Sequence, residues 1–160
     1  MEKKEKIFQS ITHGTLTKEL LFNQIAKDLM SGDEYLITVG TDSQTYSKTK
    51  VVTVICLHKI GKGGKFFYTV EHVGQIENIR LKVYNETWRS IELAKELTEF
   101  LYTRNLDFDI VIHVDIGKSQ KGKTADLINE IMGWVKSEGF EAHHKPDSYT
   151  ASSIADRISK

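Results

Sequence analysis

Hydrophobic and polar positions along the chain alternate with helical and strand-like periods. Apolar residues three or four positions apart predict a helix over residues 17–31, with Thr17 as its cap and Gly32 after its end. The residues before it carry no such period. We therefore expect a flexible lead over residues 1–16, followed by an extra N-terminal helix.

Three segments rich in β-branched and apolar residues follow, with short polar or glycine-rich turns between them. They cover residues 35–42, 51–58 and 65–72, and each is typical of a strand. Successive strands that are joined by short turns usually pair antiparallel, so we expect a meander of three strands.

Helices and strands alternate in the second half of the chain. Residues 78–104 contain no glycine or proline and carry an apolar stripe, which predicts a long helix. A strand over 109–115, a helix over 124–137, a short strand over 140–145 and a final helix over 148–159 follow. After the N-terminal helix the order is βββαβαβα, which predicts an α/β fold with a five-stranded mixed sheet.

Composition narrows the kinds of protein that this order of helices and strands can represent. The 160 residues, of which 39% are hydrophobic and 28% charged, suit one domain over residues 17–160. The 22 basic and 22 acidic residues cancel, so no overall basic surplus marks a nucleic-acid carrier. The single cysteine, Cys56, excludes an internal disulfide. With no apolar run of about 18 residues, we expect a cytoplasmic protein that has no membrane partner.

Two aspartates, Asp42 and Asp115, come at the ends of apolar strands. If those strands are parallel neighbours, the two carboxylates lie roughly 5 Å apart, one strand spacing. Carboxylates at that distance repel each other unless a divalent cation such as Mg²⁺ or Mn²⁺ binds between them. Taken alone, however, a strand-end aspartate more often starts a turn or caps a helix.

The sequence around these aspartates resembles the ribonuclease H-like superfamily. GTDSQ around Asp42, VDIG around Asp115 and KPDSYTASSIADR, which contains Asp156, are similar to its small bacterial YkuK-like branch. The resemblance implies four carboxylates that hold two divalent ions for phosphodiester cleavage. Carried over residue by residue, Asp42 is the first carboxylate and Asp115 the third.

The second and fourth carboxylates each have two candidates. On the long helix, motif similarity favours Glu92, but helical phase places Glu86 at the edge of the buried face and Glu92 towards water. We therefore predict Glu86. For the fourth position the resemblance favours Asp156, with Asp147 as the rival. The predicted metal ligands and catalytic residues are Asp42, Glu86, Asp115 and Asp156.

A lysine-rich loop follows the second strand-end aspartate. Its sequence GKSQKGKT, from residue 117 to residue 124, fits the phosphate-binding loop of nucleotide hydrolases. Such an enzyme also needs a later apolar strand that ends in an acidic residue, and only a short polar strand follows. We therefore expect the loop to contact the phosphates of a nucleic acid. The predicted substrate contacts are Ser43, Lys118, Lys121 and Lys123.

These patterns together predict a divalent-metal-dependent nuclease that acts on RNA or an RNA/DNA hybrid. Two alternatives remain open at this point. One is a non-catalytic nucleic-acid-binding or interaction module of the same fold. The other is a nucleotide hydrolase that uses the loop from Gly117 to Thr124.

Overall fold

Strands and helices alternate along the part of the chain that the computed structural model describes, which is residues 5–116, residues 123–144 and Ile158. The elements in chain order are β1 (Ile7–Ser10), β2 (Gly14–Thr17), α1 (Lys18–Leu29), β3 (Tyr35–Thr45), β4 (Thr49–Lys59), β5 (Gly63–Val73), α2 (Ile79–Thr103), β6 (Ile110–Val114), α3 (Lys123–Ser137) and β7 (Glu141–His144).

These strands form one mixed sheet in the order β2-β1-β5-β4-β3-β6-β7. The strands β3, β4 and β5 pair as the expected antiparallel meander, whereas β6 pairs parallel to β3, and β7 parallel to β6. Parallel neighbours need a crossover connection, which α2 and α3 provide. The predicted α/β class with a mixed sheet is therefore confirmed.

The sheet in the described part of the chain has seven strands instead of the predicted five, because part of the expected lead forms a hairpin. Strands β1 and β2 pair antiparallel, and β1 meets β5 where Gln9 lies opposite Tyr68. Phe8 is fully buried, so one aromatic side chain anchors a segment that is otherwise largely polar. Strands of four residues are too short to display a clear period. Over residues 7–16, a hairpin is therefore found where the sequence predicts a flexible lead.

The first two helices begin at side-chain caps. The Thr17 hydroxyl accepts a hydrogen bond from the backbone N–H of Leu20 at 3.2 Å, and the Asn78 carbonyl oxygen accepts one from Leu81 at 2.8 Å. These bonds satisfy backbone donors that a helix start leaves open, so α1 and α2 begin close to their predicted positions. None of the helices in the described ranges is long and apolar enough to cross a membrane.

Hydrophobic side chains pack on both faces of the sheet. The larger core joins α1, α2 and α3 to one face, with Leu97 and Ile131 fully buried in it. Alternate residues of β4 point to the other face, where Val52, Val54 and Cys56 form a smaller cluster. Ile158 packs against this smaller cluster. The described end of the chain therefore lies against β4.

Burial of Cys56 predicts slow labelling by thiol reagents. Burial raises the pKa of this thiol to about 11, so very little reactive thiolate forms near neutral pH. We expect native protein at about pH 8 to react at least ~100-fold more slowly than denatured protein, and its rate to keep rising as the pH approaches the raised pKa. The absorbance of the chromophore that the thiol reagent releases measures the labelling rates of the native and the denatured protein. Fast labelling of the native protein would contradict this burial.

Candidate functional site

Two predicted site aspartates lie where the parallel strands β3 and β6 part. The last paired residues of these strands are Gly40 and His113, and each aspartate follows two positions later. Asp42 is buried, with 1% of its surface exposed, while Asp115 is half-buried. The strands that carry the two aspartates are therefore parallel neighbours, as the short distance expected between the carboxylates requires.

A third carboxylate comes from the first half of α2. Glu86 is buried, and its Oε1 accepts hydrogen bonds from the backbone N–H of Ser43 at 3.0 Å and from the Ser43 hydroxyl at 2.8 Å. Because Ser43 directly follows Asp42 in β3, these two bonds hold the Glu86 carboxyl beside the strand that carries Asp42. The Glu86 carboxyl is thereby fixed relative to β3.

The ammonium of Lys82 lies between two of these acidic side chains. Its Nζ is 3.4 Å from Oε1 of Glu86 and 3.8 Å from Oδ1 of Asp42. Burial opposes the charge of this lysine, but the combined attraction of Glu86, Asp42 and Asp115 outweighs burial and raises its pKa. Lys82 therefore carries its positive charge inside the acidic group.

Crowding of negative charge also affects Glu86. Burial raises the pKa of its carboxyl to about 8, and Asp42 and Asp115 add to the rise, while Lys82 and the Ser43 hydrogen bond oppose it. A carboxyl with such a pKa holds its proton up to neutral pH until a cation stabilises the ionised form. The electrostatics of the site therefore favour the arrival of a cation.

A small cleft beside Glu86 is lined mainly by polar groups. The Thr41 hydroxyl lies 2.7 Å from the Ser90 hydroxyl, a hydrogen bond that ties β3 to α2. His113 stays neutral in this setting, because burial, assisted by the neighbouring His143, lowers its pKa to about 4. The lining residues are Thr41, Glu86, Thr87, Ser90, His113, Val114 and Asp115.

The donor chemistry of the site fits a divalent cation. Carboxylate oxygens are the ligands that Mg²⁺ and Mn²⁺ prefer, and the ammonium of Lys82 already stands among them as a cation. Within residues 5–116 and 123–144, no group of three or more His, Cys, Asp or Glu side chains is spaced to hold an ion. In this structure the spacing of the carboxylates is therefore that of acidic side chains around the ammonium of Lys82.

Comparison with known proteins decides the family. A family model described as "Ribonuclease H-like" matches residues 20–160. The chain belongs to the ribonuclease H-like family. It is also 40% identical over 139 residues to the "Uncharacterized protein YkuK" of Bacillus subtilis (strain 168), a match that covers 79% of this chain and 80% of that protein. No solved structure shows a significant match. The resemblance that the sequence motifs indicate is therefore confirmed.

Glu92, the motif-based rival for the second carboxylate of this ribonuclease H-like chain, lies elsewhere on α2. It is half-buried and lines a groove between α1 and α2, together with Lys18 and Phe100. Glu86 instead contacts the strand that carries Asp42. Of the two glutamates, the structure brings only Glu86 into the acidic group.

The structure gives Ser43 a different role from the predicted substrate contact. Ser43 is fully buried, and both its backbone N–H and its hydroxyl donate to Glu86. A buried hydroxyl that is already used in this way is not available to a nucleic-acid backbone. Ser43 orients the Glu86 carboxyl instead.

Several predicted site residues fall outside the described part of the chain. Asp147 and Asp156, the two candidates for the fourth carboxylate, are among them, and so are the loop residues Lys118 and Lys121. Lys123 begins α3, and its side chain is likewise not described.

The sheet does not match the nucleotide-hydrolase alternative. Residues 117–122 of the phosphate-binding motif lie outside the described ranges, but the strands around them are placed. The strands β3, β4 and β5 are antiparallel, whereas nucleotide hydrolases with this loop have parallel sheets. Together with the ribonuclease H-like family, this topology argues against a nucleotide hydrolase that uses this motif.

Lys82 is the site residue that sequence reasoning missed. A local signal for it exists, because a lysine four positions before Glu86 faces the same side of a helix. Such pairs are common on exposed helix surfaces and contribute little there. What marks Lys82 as a site residue is its contact with Asp42. That contact depends on the packing of α2 against β3, so the local pattern does not indicate it.

Proposed function

We propose that this ribonuclease H-like protein is a divalent-metal-dependent nuclease that cleaves RNA or the RNA of an RNA/DNA hybrid in the cytoplasm. One observation carries the proposal: acidic side chains from β3, from α2 and from the end of β6 all attract the partly exposed ammonium of Lys82. Concentrated carboxylates are characteristic of cation-dependent sites. Family membership supports nucleic acid as the partner.

In the proposed mechanism, Asp42, Glu86 and Asp115 would hold Mg²⁺ or Mn²⁺. When bound, the ions would activate a water molecule and offset the negative charge that develops on the phosphate. Two hydrogen bonds from Ser43 hold the Glu86 carboxyl beside β3, the strand that carries Asp42. The neutral imidazole of His113 adds no positive charge that would compete with the ions.

Asp156 is the proposed fourth ligand. Ile158, two positions later in the sequence, packs against the cluster that contains Val52, and Val52 lies opposite Asp42 in the β3–β4 register. This contact supports a ligand from the C-terminal segment and favours Asp156 over Asp147, which is further from Ile158 in the sequence. The lysines of the loop, Lys118, Lys121 and Lys123, are the proposed contacts to the substrate backbone.

A cleavage assay tests the proposal directly. We expect purified protein to shorten labelled RNA, or the RNA strand of a hybrid, when Mn²⁺ or Mg²⁺ is present, and to leave it intact in EDTA. Electrophoresis of RNA, hybrid and DNA substrates side by side gives the preference. Cleavage that continues in EDTA, or no cleavage of any of these substrates with either ion, would contradict a metal-dependent nuclease.

The second candidate is a non-catalytic nucleic-acid-binding module. The position of Lys82 favours it, because an ammonium that neutralises the carboxylates permanently would leave no room for ions. This alternative predicts that labelled RNA is bound in EDTA and stays intact in Mn²⁺. A binding measurement next to the cleavage assay separates the two functions.

A further inference from the structure

Lys82 joins two acidic side chains that belong to different elements. An ordinary surface pair four positions apart on a helix would connect Lys82 with Glu86 alone. Here the same Nζ also lies 3.8 Å from Asp42 Oδ1, which is itself almost completely buried. A buried carboxylate is costly unless a positive charge compensates for it. Lys82 supplies that charge in the arrangement that the structure shows.

The position of this ammonium conflicts with a divalent ion. A cation bound to Asp42 and Glu86 would have to approach the oxygens that Nζ now contacts. Two cations at such short range repel each other strongly in a partly buried site. Lys82 and a metal ion therefore compete for the same carboxylates.

The side chain of Lys82 is able to leave. One third of it is exposed, and its flexible four-carbon stem permits the charged end to move into water while the backbone of α2 stays in place. By contrast, the Glu86 carboxyl is fixed by two hydrogen bonds from Ser43. Of the groups in contact, the lysine is thus the one that can exchange with a metal ion at little structural cost.

We propose that Lys82 is a built-in counterion, which compensates the negative charge of the acidic group around Asp42 in the metal-free protein and is displaced when a divalent cation binds. This inference rests on the proposed metal site. Because the ion must displace the lysine, the apparent metal affinity is lower than the carboxylates alone would give. The lysine thereby raises the metal concentration at which the site fills, and it stabilises the folded protein while no ion is bound.

The test compares wild-type protein with Lys82→Met, which keeps a similar side-chain length without the charge. Lys95→Met is the matched control, since Lys95 lies on the same helix and pairs with Glu138, away from the site. Calorimetric titration with Mn²⁺ alone measures affinity, and thermal unfolding in EDTA measures the stability of the metal-free protein. We expect Lys82→Met to bind Mn²⁺ about tenfold more tightly and to unfold several degrees lower in EDTA. Lys95→Met should match the wild type in affinity.

The double variant Lys82→Met/Glu86→Gln keeps the test informative if the single variant does not fold. Because Glu86→Gln alone is expected to stabilise the metal-free protein, the double variant is compared with Glu86→Gln. A lower stability of the double variant in EDTA supports the counterion role, since Asp42 then loses a positive partner; equal stability overturns it. Unchanged or weaker Mn²⁺ binding by Lys82→Met, with clear binding by the wild type, overturns this inference and leaves the metal site intact. Absence of Mn²⁺ binding by both proteins overturns the proposed function itself.

Discussion

Replacing Asp42 with asparagine is expected to lower metal-dependent cleavage by about a hundredfold to a thousandfold. An amide is a neutral and weaker ligand for a hard cation than a carboxylate, so the site loses charge as well as a donor. Asp42 is nearly isosteric with asparagine and sits in a buried position, so the change tests charge with little change of volume. Initial cleavage rates over a range of Mn²⁺ concentrations measure the loss.

Asp109→Asn is the matched control for this prediction. Asp109 is exposed and directly precedes β6, at the end of the strand opposite to Asp115. The same chemical change there should leave the cleavage rate within about twofold of the wild type. Circular dichroism confirms that both variants are folded. If Asp42→Asn retained more than about a tenth of the wild-type rate, Asp42 would not be an essential ligand.

Glu86→Gln is expected to stabilise the metal-free protein while it removes metal-dependent cleavage. A glutamine carbonyl can accept the same hydrogen bonds from Ser43, but the variant has no buried carboxyl to ionise. The wild-type carboxyl has a folded pKa of about 8 against an ordinary 4.5. Its contribution to stability is therefore full below the ordinary value and is lost as the pH rises through about 8.

Chemical denaturation in EDTA at about pH 6 and about pH 9 measures this effect. We expect Glu86→Gln to exceed the wild type by about 1–3 kcal/mol in free energy of unfolding at the higher pH, and by less at the lower one. Glu92→Gln, on the same helix but in the groove beside α1, should change neither stability nor cleavage appreciably. A metal-free Glu86→Gln protein that is less stable than wild type at both pH values would contradict the raised pKa.

Local patterns predicted those parts of the fold and site that depend on period and strand ends. The apolar runs before Asp42 and Asp115 predicted that each aspartate ends a strand. Asp115 does follow β6 directly, whereas β3 continues beyond Asp42 to Thr45. Parallel neighbouring strands were a condition of the sequence argument, and the structure meets it. Helical phase separated Glu86 from Glu92, because the apolar stripe of α2 defines which side packs on the sheet. In these cases the residues that determine the local structure lie close together in the sequence.

Contacts between distant segments explain what the sequence did not predict. The β1–β2 hairpin depends on burial of Phe8 and on pairing with β5, and neither leaves a periodic signal in four-residue strands. The hydrogen bonds of Ser43 and the second ion pair of Lys82 both arise from the docking of α2 on β3. Their partners are far away in the chain, so no local pattern indicates them.

Anomalous diffraction from crystals grown with Mn²⁺ shows whether these carboxylates bind a metal ion. We expect a strong manganese peak that is bounded by the carboxyl oxygens of Asp42, Glu86 and Asp115, with the ammonium of Lys82 displaced from its present contacts. A map without a peak at these oxygens, at a Mn²⁺ concentration that saturates any cleavage activity, would contradict a metal centre at this end of β3 and β6.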